Sequence, residues 1–260
     1  MIVTILGSSA KQTAVRECVS ILVDAGNDSI LFDAGPGVVS SLRRVNRKSA
    51  CINKVILTHV HGDHILGFAY FIFDRNSEIK AQKDIPAEHA TLTVYGQADV
   101  INLAKCMLDL AYPGMKLSFR LEFVEVADGS ELYTDNTQVK FVDAVHAVPT
   151  LSTVLCCDGK KLVYTSDTLP NEALCEAAMN ADCLIHEGMY TSASLSRSRK
   201  SKHATVYDAA QFANKAAAKS LLMVHIAPNM FGNEGEMLRE AASAYTGNMS
   251  IPVDGCVYWV

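Results

Sequence analysis

The sequence predicts an α/β protein in which sheets are flanked by helices. Short runs rich in Val, Ile and Leu recur from one end of the chain to the other, with the length and composition of buried strands. The early runs follow one another mostly without helical patterns between them. The later ones alternate with helices, which argues against a plain doubly wound sheet. Several of the runs also end in His or Asp, and strand ends on one edge of a sheet are where α/β proteins build their sites.

In chain order, strands are expected at IVTIL (2–6), CVSILVD (18–24), SILFD (29–33), KVILT (54–58), TLTVY (91–95), RLEFVEV (120–126), VKFVDAV (139–145), STVLCC (152–157), KLVYTS (161–166), CLIH (183–186) and LLMVH (221–225). Helical spacing of apolar residues falls at about 36–45, 64–75, 98–111, 170–179, 205–218 and 233–244. The helix after His203 has a defined start, because Thr205 can cap it with Asp208 three residues on. There is no low-complexity linker and no short-period repeat, so 1–260 reads as one domain.

With 260 residues, 49% of them hydrophobic, the chain can bury a sizeable core. A formal net charge of −5 gives no general attraction to nucleic acid or anionic membrane, so any basic contact has to be local. The start MIVTILGSSAK has no signal-peptide pattern, and the apolar run ILGFAYFIF is too short to span a bilayer. The expected location is cytoplasmic. None of the eight cysteines forms a CxxC pair, and most sit in apolar surroundings, which reads as reduced thiols packed as small hydrophobes.

The chemistry concentrates in HVHGDHILG, residues 59–67, directly after the run KVILT. His59 and His61 are two apart, so in extended backbone they point the same way and can share a metal. Gly62 permits a sharp turn into a helix. That turn aims Asp63 and His64 elsewhere, toward a second metal. Six residues at strand ends, Asp33, His59, His146, Asp167, His186 and His225, are all imidazole or carboxylate and imply a polynuclear metal site. Ligands without thiolate suit zinc, iron or manganese in a hydrolytic centre. His186, beside Glu187, fits either the site or the core, and His89 lies outside every motif and reads as a surface residue. The run SRSRKSKH places Arg197, Arg199, Lys200 and Lys202 just before His203. It reads either as a solvated face or as a lid that meets a phosphate, with the N-terminus of the following helix favouring the same anion.

HVHGDHILG resembles the signature of the metallo-β-lactamase superfamily, and the later elements of that superfamily appear in order along nearly the whole chain. The resemblance implies an αββα sandwich with the metal site at the sheet edges. DAG at Asp33 resembles the first motif, an acid supporting a metal-ligand histidine. VHAVPTLS at His146 resembles the third, YTSDTLP carries the bridging Asp167, and MVHIAPNM carries the final His225. By that resemblance His59, His61 and His146 hold one metal, and Asp63, His64 and His225 the other. LIHEGMY and SKHATVYDAAQFA resemble the ribonuclease Z branch, which also includes small-molecule phosphodiesterases. There His203 would be the additional catalytic histidine and Glu187 its orienting acid. The opening loop LGSSA departs from the glycine-richer loop of the family.

The expectation is a dinuclear hydrolase with two divalent ions, zinc first and iron or manganese as alternatives. It would act on small or nucleotide phosphodiesters through a metal-bridging hydroxide that Asp63 helps to orient. Enzymes of the tRNA-processing type usually carry a long arm between the third motif and the bridging aspartate. Here a plain hairpin, STVLCCDGKKLVYTS, fills that interval, which argues against transfer RNA as substrate. The competing readings are a tRNA 3′-end endonuclease without the arm, a lactonase or β-lactamase, and a metal-binding redox or sensor protein. No membrane partner is expected, and a homodimer is compatible with the sequence.

Overall fold

The computed structural model describes residues 1–81, 90–134 and 136–260. His89 lies outside the described residues. Two seven-stranded mixed sheets stack face to face, with helices on both outer faces. The first sheet has the order β14-β1-β2-β3-β4-β5-β6 and is built from β1 (Ile2–Gly7), β2 (Ser20–Ala25), β3 (Asp28–Phe32), β4 (Lys54–Ile56), β5 (Thr91–Gly96), β6 (Arg120–Glu125) and β14 (Val257–Trp259). The second has the order β13-β12-β11-β10-β9-β8-β7, from β7 (Glu131–Tyr133), β8 (Thr137–Asp143), β9 (Leu151–Cys157), β10 (Lys160–Tyr164), β11 (Cys183–Glu187), β12 (Ser220–Val224) and β13 (Asn248–Ser250). The helices are α1 (Val38–Arg44), α2 (Gly62–Ile65), α3 (Phe68–Lys80), α4 (Ala98–Ala111), α5 (Glu172–Ala177), α6 (Leu195–Ser201), α7 (Val206–Lys215) and α8 (Glu234–Ala241).

Three apolar layers follow from this stacking. Ile5, Ile21, Phe32, Phe141, Leu155 and Ile185 fill the space between the sheets. Leu31, Val55, Phe68, Phe71 and Ile101 pack the first sheet against α1, α3 and α4. Val163, Leu184, Val206, Phe212 and Met237 pack the second against α5, α7 and α8. Strands covered on both faces need no polar alternation, which is why they read as near-continuous apolar runs. The metallo-β-lactamase-like αββα sandwich is therefore what the chain forms.

All eleven expected strands are present. Three short edge strands, β7, β13 and β14, were not expected, because three residues are too few for a periodic signal. The expected helix over 64–75 is two helices, α2 and α3, with Leu66 and Gly67 between them. The basic run is itself helical, as α6. Between His146 and Asp167 the chain forms the plain hairpin of β9 and β10, turned at Asp158 and Gly159, both at positive φ. All eight cysteines are free; Cys18, Cys157, Cys175 and Cys183 are buried, whereas Cys106 is exposed. Among the described residues no helix is long and apolar enough to cross a membrane.

Candidate metal centre

The parallel strands β3 and β4 end side by side, and the signature follows β4 directly. The Asp33 amide donates to the Ile56 carbonyl at 2.9 Å, and the Ala34 amide to that of His64 at 2.8 Å. The Gly67 amide returns to the Ala34 carbonyl at 2.8 Å. The DAG turn and the end of the signature are thus laced together main chain to main chain. A Cβ on Gly67 would lie 2.2 Å from the Gly35 carbonyl oxygen, and one on Gly35 2.4 Å from that of Asp63. Those two glycines are set by close backbone approach. Gly62 is not: it is the first residue of α2, outside the left-handed region, so the expected glycine turn is an ordinary helix entry.

The second sheet supplies the remaining groups. Asp167 follows β10, Glu187 ends β11, His225 follows β12, and His146 sits in the loop between β8 and β9. The Leu151 amide donates to the Thr58 carbonyl at 3.1 Å, which ties the two sheets together at this edge. Asp167 Oδ2 lies at the centre. His64 Nε2 and His225 Nε2 approach it to 3.4 Å each, His59 Nε2 to 3.6 Å and His146 Nε2 to 3.8 Å. Asp63 Oδ2 stands 3.2 Å from His225 Nε2, and His146 Nε2 stands 3.2 Å from His61 Nδ1.

Among the described residues, three groups of side chains converge closely enough to hold a metal ion: His59, His61, His146 and Asp167; Asp63, His64 and His225; and Asp167, His203 and His225. The fit to cations is visible in unsatisfied atoms. His59 Nε2 and Asp167 Oδ1 are buried without a hydrogen-bond partner, a costly arrangement for polar groups aimed at one another's neighbourhood. Burial holds His59 well below the ordinary imidazole range and His146 down to about 4, so both are neutral and present lone pairs. Burial opposes the charge on Asp167, yet the His225 and His64 imidazoles hold its carboxyl well below the usual range. Burial likewise opposes protonation of His64, and the carboxylates of Asp167 and Asp33 overcome it.

Behind these groups lies a second layer of hydrogen bonds. The buried Asp33 carboxylate accepts from the Thr58 amide at 2.9 Å, the Thr58 hydroxyl at 3.1 Å, and the Tyr164 hydroxyl at 2.8 Å. It also faces His64 Nδ1 at 2.8 Å. Thr58 Oγ1 accepts from Ser166 at 2.8 Å and lies 3.0 Å from His59 Nδ1. One connected network therefore touches both His59 and His64. Thr58, Tyr164 and Ser166 were not singled out from sequence, where nothing distinguishes them from other buried hydroxyls.

His203 Nδ1 lies 3.1 and 3.2 Å from the two Glu187 carboxylate oxygens, and Glu187 Oε1 also accepts from the Thr168 amide at 2.6 Å. Burial and the neighbouring Asp167 push Glu187 well above the carboxylate range. His186 turns the other way. Adjacent strand residues point to opposite faces, so His186 packs edge-on against Phe212 at 5.0 Å, beneath α7, and is a core residue.

The basic run is largely engaged within the chain. Arg199 forms a two-pronged pair with Asp208, at 2.7 Å to each oxygen, and Arg197 lies over the Tyr190 ring at 5.2 Å. Lys202 Nζ donates to the His146 carbonyl at 3.2 Å. Lys200 is exposed. Thr205 and Asp208 form the expected capping box, so the chain's own carboxylate already occupies the N-terminus of α7 that was expected to favour a substrate anion. In the opening loop, Ser8 Oγ donates to Asp254 at 2.8 Å, and Ser9 bridges to Ile226, next to His225.

A family model described as Anti-Pycsar protein Apyc1 matches residues 1–241. Ribonuclease Z of Natronomonas pharaonis is 27% identical over 296 aligned positions, covering 97% of this chain and 96% of its own length. The alignment is longer than the chain, so that relative carries insertions where this chain has none. Among solved structures, the metallo-β-lactamase fold protein YhfI from Bacillus subtilis superposes with a TM-score of 0.85 at 23% identity, over 99% of this chain and 98% of its own. The short form of human tRNase Z gives 0.81 at 20% identity, over 100% and 99%. These relatives do not support the expectation that transfer RNA is excluded as a substrate: they match end to end despite the short hairpin. The chain is a metal-dependent hydrolase of the metallo-β-lactamase superfamily, on its ribonuclease Z-like branch, and it belongs to the family described as Anti-Pycsar protein Apyc1.

Proposed function

We propose that the chain is a phosphodiesterase acting on small or nucleotide phosphodiesters. The observation that carries this reading is His203: it lies beside the His59–His61–His146–Asp167 and Asp63–His64–His225 groups without belonging to either, and Glu187 holds it through Nδ1. His59, His61 and His146 would hold one divalent ion and Asp63, His64 and His225 a second, with Asp167 shared; zinc suits these donors best, with iron or manganese as alternatives. When bound, such ions supply Lewis acidity toward water and toward phosphoryl oxygens. Asp63, partly open to solvent, orients the attacking water. Glu187 fixes the ring of His203 so that its other nitrogen faces the substrate and protonates the leaving oxygen. Of Arg197, Arg199 and Lys200, the exposed Lys200 is the one with no charged or aromatic partner among the described residues to compete with a phosphate.

The test is a panel of bond types on one preparation of measured metal content. Bis(p-nitrophenyl) phosphate and cyclic nucleotides are assayed beside a phosphomonoester, a cephalosporin and a homoserine lactone. Turnover should favour diesters, with close to two metal equivalents per chain. Faster turnover of the cephalosporin or the lactone would overturn the assignment. The near-full-length relatives named ribonuclease Z support a second reading, cleavage of precursor tRNA, so that substrate belongs in the same panel. Efficient 3′-end cleavage would favour it over small diesters.

A further inference from the structure

Lys202 contacts His146 twice, across 56 residues of sequence. His146 Nδ1 donates to the Lys202 carbonyl at 3.0 Å, and Lys202 Nζ returns to the His146 carbonyl at 3.2 Å. With Nδ1 as the donor, Nε2 carries the lone pair, and it is Nε2 that faces His61 and Asp167. Delivery of that carbonyl depends on backbone shape. Lys202 sits at φ 55° and ψ 48°, the left-handed region, immediately after α6. A side chain other than glycine is strained there and stays only where its surroundings hold it.

The surroundings do hold it. The Arg199 pair with Asp208 clamps α6 to the start of α7. Ser198 adds a hydroxyl bond to the His203 carbonyl at 2.5 Å and accepts the His203 amide at 3.0 Å. The short helix α6 therefore presents one main-chain oxygen to His146 from a rigid base.

We propose that Lys202 is a positioning residue for metal binding: its left-handed backbone, clamped through Arg199 and Asp208, holds His146 in the tautomer and orientation that a divalent cation requires. This rests on the proposed role of His146 as a ligand. The carbonyl does the orienting, so the side chain matters less than the φ angle that residue 202 can adopt.

The experiment measures zinc affinity of the metal-stripped full chain by competition with a chromophoric chelator, alongside circular dichroism. Hydrogen-bond partners of metal ligands are typically worth about 10–100-fold in metal affinity. Lys202→Val, whose β-branch resists positive φ, should weaken one zinc by that factor. Lys202→Gly, which keeps the carbonyl and adopts the angle freely, should bind zinc as the wild type does. Wild-type affinity in Lys202→Val would overturn the proposal, and so would equal weakening in Lys202→Gly, which would place the effect in the ammonium group. If Lys202→Val does not fold, Arg199→Ala decides: it frees α6 without altering residue 202, and unchanged zinc affinity there would overturn the proposal. His146→Ala separates the premise from the inference. If it keeps both zincs, His146 is not a ligand; if it loses one while Lys202→Val does not, the ligand assignment stands and the role of Lys202 falls.

Discussion

Thr58→Val tests whether the network behind the candidate metal centre orients it. The substitution keeps shape and removes one hydroxyl. In the wild type that oxygen donates to Asp33, accepts from Ser166 and meets His59 Nδ1. Valine leaves three buried groups one bond short. A buried group deprived of its partner costs about 1–3 kcal/mol. Asp33 keeps the Thr58 amide, His64 and Tyr164, and the Ser166 hydroxyl can rotate, so the lower end applies to those two. His59 has no such alternative. The expected loss is about 3–5 kcal/mol in the metal-free chain, or roughly 6–20 °C in Tm for a domain of this size. Zinc affinity should fall as well, by about 10–100-fold, because His59 is no longer held. Urea and thermal melts of metal-stripped wild type, Thr58→Val and Thr58→Ser, each followed by a zinc titration, measure both. Thr58→Ser keeps the hydroxyl and should track the wild type. A valine variant within about 0.5 kcal/mol of the wild type, with unchanged zinc affinity, would refute the reasoning.

Three further outcomes follow. His203→Ala should keep its metal, lose little rate on an activated aryl diester and lose roughly 10²–10⁴-fold on an alkyl diester, whose leaving oxygen needs a proton; equal losses on both would remove the leaving-group role. Gly67→Ala should destabilise the chain by about 3 kcal/mol or more, because its Cβ would meet the Gly35 carbonyl and backbone must move, and an unchanged melt would contradict the close approach. Burial pushes His186 down to about 4, against about 6.5 in an unfolded chain, so the unfolded state binds more protons between those values and stability falls as pH drops from 6.5 toward 4. His186→Phe should remove about 3 kcal/mol of that pH dependence in the metal-free chain, and identical pH-stability slopes for the two proteins would exclude His186 as its source.

The strands were legible because burial on both faces writes continuous apolar runs, and the residues at their ends stood out against that background. HVHGDHILG was legible because it is local: four ring or carboxylate groups within six residues need no tertiary knowledge. The second layer was not. Tyr164 meets Asp33 across 131 residues of sequence, and no periodicity marks one buried tyrosine hydroxyl for that purpose. The contribution of residue 202 is a carbonyl, which every residue has. The sequence reading left His186 open between site and core, although strand geometry decides it. A strand with period two cannot aim both His186 and Glu187 at the same site, and Glu187 is the one that reaches His203. Composition left the basic run open between a solvated face and a phosphate lid, because nothing local shows that the partner of Arg199 is a buried carboxylate three residues into the α7 start.

The same logic accounts for where the backbone is strained. Among the described residues, eight other than glycine have positive φ, and four of them, Asp33, Ser166, Lys202 and His225, belong to the centre or its supporting layer. Asp33, Ser166 and His225 come just after β3, β10 and β12. A strand that simply continued would alternate its side chains past the site. A left-handed residue breaks that alternation and turns the chain abruptly, so that successive residues reach groups that regular strand geometry would separate. Each such residue costs of order 1–3 kcal/mol, and glycine, which would relieve the strain, offers no carboxylate, hydroxyl or imidazole. Asp33 shows the compensation directly: its one carboxylate gathers two bonds from Thr58, one from Tyr164 and one shared with His64. Strain at the strand ends and the hydrogen-bond layer behind them are therefore two sides of one device, since the bonds hold the left-handed residues in place and those residues are what bring the bonding groups together.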